Sequence, residues 1–349
     1  MIEIWYGILS FMLVMFLVLE GFDFGAGMLQ QVVGKTEAER RLVIAVIGPL
    51  WSWHEVWLVG FGGTLLVAFP SIMTASFAGF YLAFFLLLWS IVLRGVSIEV
   101  SGHIEDSMWR TAWNFVFVAS NILLAVLVGA ALGNVLRGVP LGPDGKFALS
   151  FFTNFAPFGN VGILDWYTVS VAVFIVVTLA AHGANGLILK TEGPVYERSR
   201  RVAGLLWKIV PVLLAIITVE SYYLRPALFS GIMHQPFGWL GLVGVFGGLI
   251  AVFTGLQPKR EKFAFIGSCA FIAGLMIAGA AGAFPIMLYS TLAPENSLSA
   301  YQMSASGYGL AVALVWWPIA AIFAAFYFMF IYKHYSSKVK PSEDTQRPY

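Results

Sequence analysis

Charge is what this sequence has least of. Of 349 residues only 20 are Lys or Arg and 18 are Asp or Glu, 11% together, where a soluble domain carries about 25%. That shortage excludes a soluble enzyme, a disordered chain and a nucleic-acid binder. Cysteine is scarcer still: the single Cys269 excludes a disulfide framework and any multi-cysteine metal or iron–sulfur site. There is no GxSxG elbow, no HExxH and no phosphate-binding loop, so nothing points to independent catalysis by this chain. The net charge of +2 implies no acidic partner.

What is there instead is apolar: 59% hydrophobic residues, 16% aromatic ones and a mean hydropathy of +0.84. Runs long enough to cross a bilayer, about 20 residues each, recur nine times, at 4–29, 43–69, 73–93, 112–133, 163–189, 203–224, 237–256, 263–290 and 307–332. Stretches such as Phe80 to Leu93 are apolar without alternation, which favours helices over barrel strands. The expected fold is all-α, a polytopic membrane protein of nine transmembrane helices.

The few cations then set the orientation. Lys35, Arg40 and Arg41, then Arg94 and Arg110, fall in the first and third connections. Lys190, Arg198, Arg200, Arg201 and Lys208 follow around the fifth, and Lys259, Arg260 and Lys262 in the seventh. Lys333, Lys338, Lys340 and Arg347 lie at or beyond the end of the last span. That makes 17 of the 20 on one side, against Arg137, Lys146 and Arg225 on the other. The N-terminus is expected outside and the C-terminus in the cytoplasm, which requires an odd number of spans. No Lys or Arg precedes the first apolar run, so it is not expected to be a cleaved signal. The outer loop 134–162 reads as ordered against the membrane surface. The polar tail 336–349 reads as disordered.

A weak repeat divides the chain. Leu19 to Leu29 (LEGFDFGAGML) and Ala180 to Lys190 (AAHGANGLILK) each set polar residues among glycines before a basic loop. Two four-helix halves, about 1–133 and 163–290, plus the extra helix 307–332 account for nine spans. Transporters share such repeats, so the repeat alone leaves a proton-coupled transporter open.

Ionisable groups inside a span cost several kcal/mol and are functional candidates. Glu20 and Asp23, three apart, share a helical face. Gly21, Gly25 and Gly27 around them allow close approach of another helix. This is a candidate proton-accessible carboxylate pair, with a helix cap or a packing hydrogen bond as the plain structural alternative. In the second span Trp51, Ser52, Trp53, His54, Glu55 and Trp57 form the densest polar cluster. Glu55 is expected near the middle of that helix, on the face of Ser52, as a proton relay. His54 points about 100° away from Glu55. A haem needs opposed axial ligands, and His54 reads better as a hydrogen-bonded core histidine. Glu220, Tyr222, Tyr223 and Arg225 read as interfacial, and Asp165 as a helix start.

From Gly21–Phe22–Asp23–Phe24–Gly25 onward the chain resembles subunit II of cytochrome bd-type quinol oxidases. The carrying residues run on through Glu39–Arg40–Arg41, Ile47–Gly48–Pro49, Trp51 and Glu55–Val56–Trp57–Leu58. Gly62–Gly63, Ala68–Phe69–Pro70, Gly79–Phe80–Tyr81 and Arg94 continue the series. Looser matches follow at Trp109–Arg110, Gly138–Val139–Pro140, Asn154–Phe155, Pro157–Phe158–Gly159 and Phe284–Pro285. The resemblance implies a heterodimer in a bacterial or archaeal cytoplasmic membrane. Its partner, subunit I, carries two b haems and one d haem, oxidises quinol and reduces oxygen to water. Subunit II supports that partner without binding haem itself, and can supply a proton path and hold a structural quinone. A small single-span subunit can join the pair. Asp23 matches a family acid linked to proton uptake. One departure stands out: the family's Trp-Asp-Gly-Asn reads Trp51-Ser52-Trp53-His54 here. The acid is missing at Ser52, so either Glu55 substitutes or the path runs through the partner. The expected path is Glu20, Asp23, Ser52 and Glu55, with His54 and Trp57 as supporting polar residues and no metal. A purely structural scaffold, with the acids serving assembly, is the further alternative.

Overall fold

The computed structural model describes residues 1–257, 260–335 and 337–339. The first helix, α1 (Ile2–Val33), is apolar almost throughout and is packed on by most of the others. Thr36 then starts α2 (Glu37–Ile47) with a reciprocal cap: the Glu39 N–H donates to Thr36 Oγ1 and the Thr36 N–H to Glu39 Oε2. Next come α3 (Trp51–Ala68), α4 (Pro70–Gly79) and α5 (Tyr81–Val100). Two long helices follow, α6 (Ser107–Arg137) and α7 (Trp166–Lys190). Asp165 caps the start of α7, accepting from the N–H groups of Tyr167 and Thr168, as a carboxylate at a helix N-terminus should. The second half holds α8 (Gly193–Leu224), the short α9 (Ala227–His234), α10 (Pro236–Gly255) and α11 (Glu261–Ala283). A short antiparallel pair, β1 (Ile286–Leu288) with β2 (Leu298–Ser299), the small α12 (Ala300–Met303) and the last helix α13 (Gly307–His334) complete the chain.

Eight of these helices are long and apolar enough to cross a membrane, and the bent pair α2–α3 brings the number to nine among the described residues. The expected multi-pass, all-α membrane protein is what the chain forms. Its boundaries differ where proline intervenes. The second span is not one helix: Gly48–Pro49 breaks it, with a bend of 44° between α2 and α3, because proline has no N–H to donate and crowds the preceding turn. The eighth span stops at Ala283, since Phe284 precedes Pro285 and is held extended. Residues 286–288 then become a strand rather than more helix. The third span is displaced: a break at Phe80 starts α5, which runs on past Arg94 to Val100.

The two glycine-rich stretches that the sequence pairs lie against one another. A Cβ on Gly25 would meet the backbone of Leu179 and Gly183, and one on Gly183 would meet the backbone of Gly25 and Ala26. This crossing of α1 over α7 is therefore a backbone-to-backbone contact that only glycine permits. At the opposite end of the bundle, Arg137 pairs with Asp165 and donates to Asn134 Oδ1 at 2.6 Å and to the Gly162 carbonyl at 3.3 Å. Arg225, expected at an interface, is buried there as well and donates to the Leu136 carbonyl at 3.2 Å. These cations tie loops to helices. Of the tail, residues 336 and 340–349 lie outside the described residues. Within 337–339, Val339 N–H donates to the Lys190 carbonyl and Lys338 sits 3.5 Å from Glu192.

Candidate functional site

The face of α1 that carries Glu20 and Asp23 points inward, with both carboxylates buried. Across from them α5 delivers Arg94, 1% exposed. Its guanidinium pairs with Glu20 and lies 3.9 Å from Asp23 Oδ2. It also sits over the rings of Phe24 and Trp51, at 5.0 and 5.8 Å, a cation–π cage that offsets part of its lost hydration. The sequence placed Arg94 in a connection, since an apolar run ends where a charge begins. The structure corrects this: α5 continues a further turn and more, and Arg94 is the counter-charge of the acid pair.

The α2–α3 break sets the next residue. Because α3 starts at Trp51, His54 lies in its first turn and turns into the bundle, 1% exposed. His54 Nδ1 is 2.7 Å from Asp23 Oδ2, and Nε2 is 2.7 Å from the Tyr332 hydroxyl of α13. With Asp23 ionised, Nδ1–H donates to the carboxylate, and Nε2 then accepts from the tyrosine O–H. Tyr332 is 37% exposed, so this chain of two hydrogen bonds leads from an accessible side chain to a buried acid.

The other expected residues divide. Glu55 is half-buried with Oε1 buried, but it sits in the first turns of α3 rather than mid-helix, because Pro49 shortened the helix. Ser52 is exposed and outside the cluster. Trp57 packs edge-on to Phe11 and against Phe328, at 5.7 and 5.5 Å, with its indole N–H buried. Tyr332 was not legible as a site residue, since nothing in the sequence of the last span ties it to His54.

Charge balance describes what the cluster can do. With the imidazole neutral, two carboxylates and one guanidinium leave one net negative charge, which one further proton on the Asp23–His54 pair cancels. Burial strongly penalises any other total. Such a unit favours holding one such proton, and passing it on requires another to replace it. By distance alone, Glu20, Asp23 and His54 also resemble a metal site, their ligand atoms within 4.8 Å of one another. Arg94 already supplies the cation there and would repel a second one.

Haem does not fit this chain's buried imidazoles. Both nitrogens of His54 are engaged. His182 is held likewise, with Nδ1 2.7 Å from Ser268 Oγ and Nε2 2.9 Å from the Val18 carbonyl, its ring stacked on Phe265. Neither presents a free nitrogen to iron. His103, His234 and His334 are exposed.

The model of the cytochrome bd terminal oxidase subunit II family matches residues 1–335. The chain belongs to that family. The cytochrome bd-I ubiquinol oxidase subunit 2 of Escherichia coli is 28% identical over 352 residues, covering 92% of this chain and 92% of the relative. The cytochrome bd ubiquinol oxidase subunit 2 of Bacillus subtilis is 28% identical over 313 residues, covering 89% of this chain and 88% of the relative. The solved bd oxidase of Geobacillus thermodenitrificans shares the fold, with a TM-score of 0.71 at 16% identity over 94% of this chain and 97% of that one. This subunit II is thus a multi-pass component of a quinol oxidase complex, an oxidoreductase that carries haem and whose catalysis lies in its partner, subunit I. Family membership sets aside the transporter alternative.

Proposed function

We propose that this subunit II carries protons from the cytoplasmic side towards subunit I, where quinol oxidation drives the reduction of oxygen to water. Asp23 is the central station, with Glu20 and Arg94 holding its charge balance and Glu55 as the next acid. The observation that carries this reading is the hydrogen-bonded series Tyr332–His54–Asp23, which joins a partly exposed tyrosine to a buried carboxylate through an imidazole able to relay by exchanging tautomers. Asp23 Oδ1, Glu20 Oε2 and Glu55 Oε1 are buried with unused acceptor capacity, which suits bridging by water. The concentration of cations on one side supports an N-terminus outside and a C-terminus in the cytoplasm.

The same reading assigns the haems, two b and one d, to subunit I, and leaves a structural quinone and a small single-span subunit as additions to the complex. It takes the chain as two four-helix halves, about 1–133 and 163–290, with 307–332 as the extra helix. The reciprocal fit of Gly25 and Gly183 supports that division.

The test uses the purified complex in proteoliposomes. Asp23→Asn, Glu55→Gln and Tyr332→Phe should each retain the haem spectrum while slowing oxygen consumption and proton uptake together. Variants that assemble fully and keep the wild-type rates would place the path elsewhere. Loss of haem in the Asp23→Asn complex, with normal turnover in the fraction that assembles, favours the scaffold alternative. That alternative rests on Arg94, whose pairing with Glu20 and Asp23 ties α1 to α5 whether or not protons move.

A further inference from the structure

A cleft of about 950 Å³ opens at the end of the bundle that carries most of the Lys and Arg, between α1, the end of α7, the start of α11 and the end of α13. Its two ends differ in chemistry. The inner walls are mostly apolar, with Val18, Phe22, Leu50 and Phe265 among them, and His54 and Tyr332 also face the cleft. Four cations stand at its rim: Lys190, Arg260, Lys262 and Lys338. Lys190 Nζ is tied to the Tyr335 carbonyl at 2.6 Å, and Lys338 lies 3.5 Å from Glu192. Arg260 and Lys262 are exposed, and no acid pairs with either among the described residues. Glu261 is the one acid among the lining residues, and it accepts from the Tyr196 hydroxyl at 2.9 Å. The 23-residue α11 begins at Glu261, so its positive end faces the same opening.

We propose that this cleft holds an anionic glycerophospholipid, with the phosphate between Arg260, Lys262 and Lys190 and an acyl chain against Phe22 and Phe265. The argument is complementarity of both ends at once. A free phosphate would satisfy the cations but leave the apolar walls unfilled. A zwitterionic lipid would fill the walls but bring an ammonium to a cationic rim. Basic pockets between helices at a membrane surface are suited to acidic headgroups, and the volume lies within the range of small-molecule sites. His54 and Tyr332 line the same cleft, so a lipid there borders the start of the proposed proton path.

The experiment uses the complex with its partner, delipidated in detergent, then exposed to phosphatidylglycerol, to phosphatidylcholine with the same acyl chains, or to inorganic phosphate. Bound lipid is read by native mass spectrometry. Phosphatidylglycerol should be retained over phosphatidylcholine, and the Arg260→Ala/Lys262→Ala variant should lower that retention about tenfold or more, as expected for two charges lost at a membrane surface. Arg260→Lys should restore most of it, which separates lost charge from lost fold. Arg110→Ala, a cation on another connection, should change nothing. Equal retention of the two lipids, displacement of phosphatidylglycerol by inorganic phosphate, or an equal loss in Arg110→Ala would overturn the proposal.

Discussion

Arg94 offers the sharpest test of how the buried cluster is held. Replacing it by Gln keeps most of the volume and removes the only cation facing Glu20 and Asp23 among the described residues. Deleting one partner of a buried ion pair costs about 3–5 kcal/mol, because the remaining charge stays buried without compensation. Here two carboxylates lose the same counter-charge, so the Arg94→Gln penalty should fall in the upper half of that range. A second substitution reports the cause. Glu20→Gln in the Arg94→Gln background removes the stranded carboxylate that touched the guanidinium, and should recover about 2–3 kcal/mol as coupling energy. The assay is reversible unfolding of the purified complex by SDS titration, followed by far-ultraviolet circular dichroism, for the two single variants and the double. An Arg94→Gln complex within about 0.5 kcal/mol of wild type, or singles that simply add, would refute the ion-pair account. The cage of Phe24 and Trp51 would then be what holds the side chain.

Three further outcomes follow from particular contacts. Gly25→Ala would put a methyl against the Leu179 backbone and 2.8 Å from the Gly183 Cα, which should cost at least about 1–3 kcal/mol. Gly7→Ala, with nothing within 4 Å, should leave the melting temperature of the complex almost unchanged. Thr36→Ala removes the acceptor for the Glu39 N–H and should cost about 1 kcal/mol, visible as faster proteolysis of the 30–42 connection. Ser52 is exposed and outside the cluster, so Ser52→Ala should leave oxygen consumption at the wild-type rate, and a marked loss would return Ser52 to the path.

The fold was legible because its signals are local. Twenty apolar residues in a row, glycines three and four apart, and cations confined to alternate connections each state their physics without reference to the rest of the chain. The cluster was half legible for the same reason. Glu20 and Asp23 stand out because two acids in one apolar helix have no local explanation. Their counter-charge did not stand out, since Arg94 lies at the edge of an apolar run and such runs are cut at the first charge. Yet two buried acids require a cation, and that requirement points to the ends of neighbouring spans, where Arg94 is the first residue of the third connection. Tyr332 had no such signal, because its contact with His54 spans 278 positions of sequence.

The missing acid at Ser52 shows how these levels combine. From sequence, Glu55 was the natural substitute, one turn on and on the same face. In the structure Ser52 is exposed, whereas His54, two positions later and about 200° around the helix, is the residue that meets Asp23. A carboxylate placed at 52 in this chain would face away from Asp23. The break at Gly48–Pro49 turns that face of α3 inward, and the imidazole there accepts from Tyr332 on one side while donating to Asp23 on the other. A second carboxylate at 54 would add a buried negative charge that Arg94 is already fully engaged in balancing, so under the proposed path His54→Asp should stall proton uptake rather than restore the family's pattern.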